Sequence, residues 1–224
     1  MMIKSRLLFP LLLLIMVLLN GCISLSGFHT GKTVPKGKSE ISASANFNTS
    51  PNFQDDDDID IIPVVPLAPS AEIGFRHGIS ERVDIGFRAN SFLNFLLDGK
   101  VQLVGDQDSR FAAATGVGIG MFGLSLGEGL LLNVQVPFYT SFHPSENFTI
   151  ALAPRYIGQF RSGGQGDDDF FLNYFGANLG FLWGKTRKFG IDLGLYGLTS
   201  GRNVGDSNGS ISLFNLGIGT TFQF

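Results

Sequence analysis

Three histidines, one cysteine and two runs of aspartate carry most of the chemistry available to this 224-residue chain. His143 follows Ser141 by two residues, a spacing at which a hydroxyl nucleophile and its base can meet. The pair has neither an orienting carboxylate nor an oxyanion donor close by in sequence, so no catalytic residue is assigned and no enzyme is expected. His29 falls in a Ser/Gly/Thr/Lys-rich stretch and His77 near the end of a strand-like segment. Cys22 is the sole cysteine and cannot form an internal disulfide, so it needs another role. Asp55, Asp56, Asp57 and Asp58 with Asp60 form one acidic cluster, and Asp167, Asp168 and Asp169 form a second. Such clusters suit hard divalent cations. Neither has the Asp-x-Asp-x-Asp-Gly spacing of a calcium loop, so they are expected to be solvated loops that attract cations weakly, with no resident metal. Gly118 to Gly123 match G-x-G-x-x-G, yet no strand–helix unit surrounds them, which excludes a nucleotide site and leaves no cofactor to assign. Glycines at period two make room on a crowded face instead.

The elements that must position these residues are strands. After Lys4 and Arg6, Leu7 to Leu19 form an apolar run of 13 residues, too short to span a bilayer as a helix and suited to a cleaved leader over residues 1–21. Residues 22–38 lack apolar periodicity and read as a flexible tether. Without Lys4 and Arg6 the chain keeps 14 basic against 19 acidic residues, a balance that excludes nucleic acid as a partner. From residue 39 onward, apolar and polar residues alternate with period two in ten segments: about 39–48, 69–78, 82–91, 95–105, 109–121, 129–142, 147–160, 171–183, 189–198 and the C-terminal stretch. One face of each is dense in Phe, Leu, Ile and Val. The other carries Glu72, Arg76, Asp84, Arg88, Asp98, Lys100, Arg110, Arg155 and Asp192, with many glycines.

Long strands of this pattern suit a tilted crossing of a bilayer, with the apolar face turned to lipid and the charges turned to a lumen. Charges of both signs in a narrow lumen are expected to pair into a structural network, the alternative being a lined pore. Short, turn-rich connections alternate with longer polar ones such as 49–68, 161–170 and 199–209. The expected fold is therefore all-β: an antiparallel transmembrane β-barrel of about ten strands over residues 39–224, with both termini on the periplasmic side. An eight-stranded barrel with the first segment outside it is the alternative.

Two stretches resemble known signals. Leu19-Asn20-Gly21-Cys22 resembles a bacterial lipobox, which implies a lipoprotein-type signal peptide and lipidation of Cys22. The last strand, ending in Phe222-Gln223-Phe224, resembles the closing strand of bacterial outer-membrane β-barrels, where a terminal aromatic acts as an assembly signal. That resemblance implies an outer-membrane location, with outer-membrane lipids and the barrel-assembly machinery as partners, and other envelope proteins in an assembly. Ten-stranded outer-membrane proteases work with Asp and His at the outer mouth, and no histidine is expected there. The function expected is a non-enzymatic, structural or partner-binding barrel lipoprotein. A narrow porin-like channel for small solutes or ions is the alternative, and a hydrolase or lipid-modifying enzyme is more distant.

Overall fold

The computed structural model describes residues 26–48, 68–91, 93–122, 130–162, 170–202 and 212–224. Among them are ten strands: β1 (Ser39–Asn48), β2 (Ala68–Ser80), β3 (Val83–Asn90), β4 (Asn94–Val104), β5 (Phe111–Phe122), β6 (Leu130–Ser145), β7 (Phe148–Ser162), β8 (Phe170–Trp183), β9 (Arg187–Arg202) and β10 (Ser212–Gln223). Each pairs antiparallel with its sequence neighbours, and β1 pairs with β10 to close the barrel. The closing register sets Ile41 opposite Phe222 and Phe47 opposite Leu216. At the rim the seam is finished by two reciprocal bonds, Ser39 N–H to the Phe224 carbonyl and Phe224 N–H to the Ser39 carbonyl, each 2.9 Å. The first segment is thus part of the wall, which excludes the eight-stranded alternative.

The period-two pattern places side chains as the alternation requires. In β3, Asp84, Gly86 and Arg88 are buried while Ile85 and Phe87 are exposed; in β10, Leu213, Asn215 and Gly217 are buried while Phe214 and Ile218 are exposed. We call the rim where β1 begins and β10 ends the closing rim, and the opposite one the loop rim. Strand ends depart modestly from expectation. A register shift between Phe142 and Ser145 carries β6 further than the pattern suggests, so His143 is a strand residue and not a turn residue.

Two positions differ in kind. Arg110 is exposed and precedes β5, so it is not part of the lumen. The alternation of β5 begins at Phe111, two residues later than the sequence pattern suggests, because residues 105–110 connect β4 to β5. There Gly105 takes φ +81°, and the Asp106 carboxylate accepts bonds from Ser109 Oγ (2.7 Å) and Asp108 N–H (3.0 Å). The Ser109 hydroxyl draws the Asp106 carboxyl below its ordinary range. The second difference is larger. Residues 26–34 are not a solvated tether: Ser26, Phe28, His29, Thr33 and Val34 are buried inside the barrel. A polar, glycine-containing segment reads as a linker against water, but it matches a polar lumen equally well.

Ile73 stands near the middle of β2 with 64 % of its surface exposed on the outer wall. Replacing it by arginine is expected to cost about 2–4 kcal/mol of folding stability in lipid vesicles. Urea unfolding in vesicles measures this, and the control Arg82→Lys, in the exposed turn before β3, should leave the midpoint where it is.

Candidate functional site

The lumen is built from charges that the alternation turns inward. Glu72, Arg76, Asp84, Arg88, Asp98, Lys100, Arg155 and Asp192 are all buried, four acids facing four bases. Arg76 is the hub of the β2–β4 side: its guanidinium is clasped by Asp84 from β3 and Asp98 from β4. Lys100 Nζ lies 3.5 Å from Asp84, and Arg88 lies 3.8 Å from Glu72. Across the barrel, Asp192 accepts from Asn178 Nδ2 (2.7 Å) and Asn215 Nδ2 (2.8 Å), and Arg155 donates to Gln135 (3.3 Å). Carboxylates and guanidiniums this deep persist only when paired and hydrogen-bonded.

The N-terminal segment completes the network. The Ser26 carbonyl accepts from Arg88 Nη1 (3.3 Å) and Arg155 Nη2 (3.2 Å), and Gly27 N–H donates to Asp192 (3.0 Å). Lys100 reaches the carbonyls of Thr30 (3.3 Å) and Lys32 (2.7 Å). Gly31 N–H donates to Ser141 Oγ, Thr33 N–H to Gln102 Oε1 and Val34 N–H to Asp84 Oδ2, at 3.0, 2.9 and 2.8 Å. The chain then leaves the lumen at the closing rim. Gly37 takes φ +75°, a conformation that suits glycine, and turns the backbone into β1.

Above this N-terminal plug, towards the loop rim, the lumen also holds apolar side chains that the alternation hides among polar ones. Leu96, Ile157, Leu172, Tyr174 and Leu213 all point inward and are buried. Their sequence signal was the inward parity itself, which outranks the polarity of any single residue. Gly118 and Gly120, from the glycine-rich match, sit in β5 against Asp98 and Asn133, where a Cβ would be crowded.

The Ser141–His143 pair does form, with Ser141 Oγ 3.0 Å from His143 Nε2. The other ring nitrogen meets Thr149 Oγ1 at 2.9 Å. Ser141 Oγ is taken up by Gly31 N–H, and the third member is a hydroxyl where a catalytic triad needs a group that stabilises imidazolium. The arrangement is a latch on the plug. His77 bonds Ser39 Oγ at the closing rim (3.0 Å), and His29 packs edge-on against Tyr139 at 5.8 Å. His29 is therefore a lumen residue. Among the described residues no group of His, Cys, Asp and Glu is placed to hold a metal ion. Cys22 and the acidic runs at Asp55 to Asp60 and Asp167 to Asp169 lie outside the described residues.

The outer surface reverses the interior. Ile73, Leu97, Ile119 and Leu195 each expose more than 60 % of their surface, in a continuous aliphatic belt. Soluble monomers do not present such a belt to water. Phe111, Phe142, Trp183, Phe189, Phe222 and Phe224 are exposed beside the closing rim, and Phe47, Phe95, Phe160, Phe171 and Phe214 towards the loop rim. Arg187 lies 5.0 Å over the Phe222 ring, and Phe222 stacks on Phe224 at 5.8 Å. An apolar belt between two aromatic girdles matches the depth profile of a bilayer. The fold is that of an outer-membrane β-barrel.

No family model and no curated protein sequence matches the chain. Among solved structures, the N-terminal β-barrel domain of Pseudomonas aeruginosa OprF is similar, with 16 % identity over 84 % of this chain and 98 % of that one, at a TM-score of 0.28. The Yersinia pestis attachment invasion locus protein Ail, solved with sucrose octasulfate, is 12 % identical over 84 % of this chain and 99 % of that one, at 0.33. The same protein in a phospholipid bilayer nanodisc gives 12 % identity and 0.33, over 83 % and 99 %. The barrel architecture of this chain rests on its own strand pairing.

Replacing Arg76 by leucine removes the partner of two buried carboxylates. It is expected to destabilise the barrel by about 3–5 kcal/mol. Lys185→Ala breaks an exposed 2.6 Å pair with Glu146 at the closing rim and should leave the urea midpoint unchanged.

Proposed function

We propose that this chain is a non-enzymatic β-barrel lipoprotein of the bacterial outer membrane that serves as a closed structural or partner-binding element. The observation that carries the reading is the lumen: among the described residues a polar segment of the chain itself is buried in its closing-rim half, and buried apolar side chains lie towards the loop rim. The aliphatic belt and the two girdles support the membrane location. Both termini on the periplasmic side agree with an even strand number and with the short turns at the closing rim, where residues 81–82 and 146–147 join their strands. In this reading outer-membrane lipids cover the belt, and the exposed Phe222 and Phe224 present the assembly signal. The partners in this reading are the barrel-assembly machinery and other envelope proteins.

Purified full chain in planar bilayers is expected to give no unitary conductance while keeping the heat-modifiable gel mobility of a folded barrel. Sustained unitary steps would favour the second reading, a narrow porin-like channel, which requires the plug to leave.

Lipidation at Cys22 sharpens the proposal. Mass spectrometry is expected to find acyl chains on Cys22, and an unacylated Cys22 removes the lipoprotein part of the reading.

A further inference from the structure

We propose that the closing-rim half of the lumen is a peptide-binding site for extended segments of the pattern Gly-aromatic-x-x-Gly, occupied here by residues 26–36 of the chain itself and open to the same pattern supplied in trans. The proposal rests on the closed, partner-binding reading and names the chemistry of the partner.

The wall reads the main chain of the plug. Both ends of the Ser26–Gly27 peptide unit are gripped by buried charges, the carbonyl by Arg88 and Arg155 and the N–H by Asp192. The N–H groups of Gly31 and Val34 are taken by Ser141 and Asp84. Hydrogen bonds to backbone atoms accept many sequences, so specificity must come from where side chains fit. Two positions exclude any side chain. A Cβ on Gly27 would lie 2.4 Å from Asp192 Oδ1, and one on Gly31 would lie 2.2 Å from the Ala112 carbonyl oxygen. One position demands a ring. Phe28 is buried in a notch of the β9–β10 wall where Gly190, Gly217 and Gly219 have no Cβ, and a Cβ on any of the three would stand 3.0–3.2 Å from the ring. A glycine notch facing a phenyl ring is a built pocket, and it explains glycines on the inner face that strand stability alone would disfavour.

The segment is held in an exchangeable way. It joins the wall through a single turn at Gly37, and its buried apolar side chains are Phe28 and Val34. The remaining grip is polar and can be replaced by water at a small net difference in free energy. Four buried bases balance four buried acids in the wall. Asp98 and Asp192 each keep one carboxylate oxygen that has no hydrogen-bond partner among the described residues, which leaves capacity for a second peptide register or for water.

The test uses the full-length chain with its own plug displaced. Gly31→Val drives a side chain against backbone and should unseat the segment; Phe28→Lys, which places an ammonium in the glycine notch, is the independent second variant. Trypsin cleavage after Lys32 reports displacement, and heat-modifiable mobility reports that the barrel is folded. A fluorescein-labelled synthetic peptide of residues 26–37 is then titrated into each protein and followed by anisotropy. Saturable binding to either folded variant, at least 10-fold tighter than to the unaltered chain, is expected. The same peptide carrying Gly31→Val or Phe28→Ala should bind at least 10-fold more weakly. Absence of binding to a folded, cleavable variant overturns the proposal, as does equal binding of all three peptides. Conductance of the unaltered chain fails or succeeds separately, so the loss of the closed-barrel reading is distinguishable from the loss of the peptide site.

Discussion

Closure of the backbone hydrogen-bond ladder is the constraint on which the rest depends. In hydrocarbon no solvent satisfies a free N–H or carbonyl, so a sheet can span a membrane only without edges. The β1–β10 pairing removes the two edges that an open ten-stranded sheet would leave, and the reciprocal Ser39–Phe224 bonds finish it at the rim. Once the sheet closes, every residue has only two environments, lipid or lumen. The period of two then assigns Ile73 and Leu97 to one and Arg76 and Asp98 to the other without further choice.

Closure also creates a problem inside. Eight ionic side chains are drawn into a narrow space where each would be costly alone. The wall pairs some of them directly, as Arg76 is paired by Asp84 and Asp98. Others are satisfied by the chain's own N-terminal backbone, whose carbonyls and N–H groups serve Arg88, Arg155, Lys100 and Asp192. An extended segment offers donors and acceptors alternately and adds no net charge from its peptide groups, which makes it a suitable filler for a neutral polar bore. The fold and the packing of the polar lumen are thus consequences of one closed ladder and the charges it encloses.

The Ser141–His143 pair shows how a motif changes meaning in this setting. By spacing alone it suggests a nucleophile and base. In the barrel, Ser141 Oγ receives the N–H of Gly31 from the plug and His143 bridges Ser141 to Thr149 of the wall, so the pair serves packing.

Local alternation by itself determined the ten strands, their inward and outward faces and eight of the nine lumen charges, because side-chain direction in a strand depends only on parity. Arg110 escaped that rule because it belongs to the connection between β4 and β5, which Gly105 and the Asp106 carboxylate shape, and not to a strand. What residues 26–36 do was decided by tertiary structure alone. Their lack of apolar period is equally compatible with bulk water and with a polar lumen, and only the closed wall supplies the lumen. The same holds for Gly190, Gly217 and Gly219, which come from two strands and become a notch for Phe28 only when the barrel brings a distant segment against them.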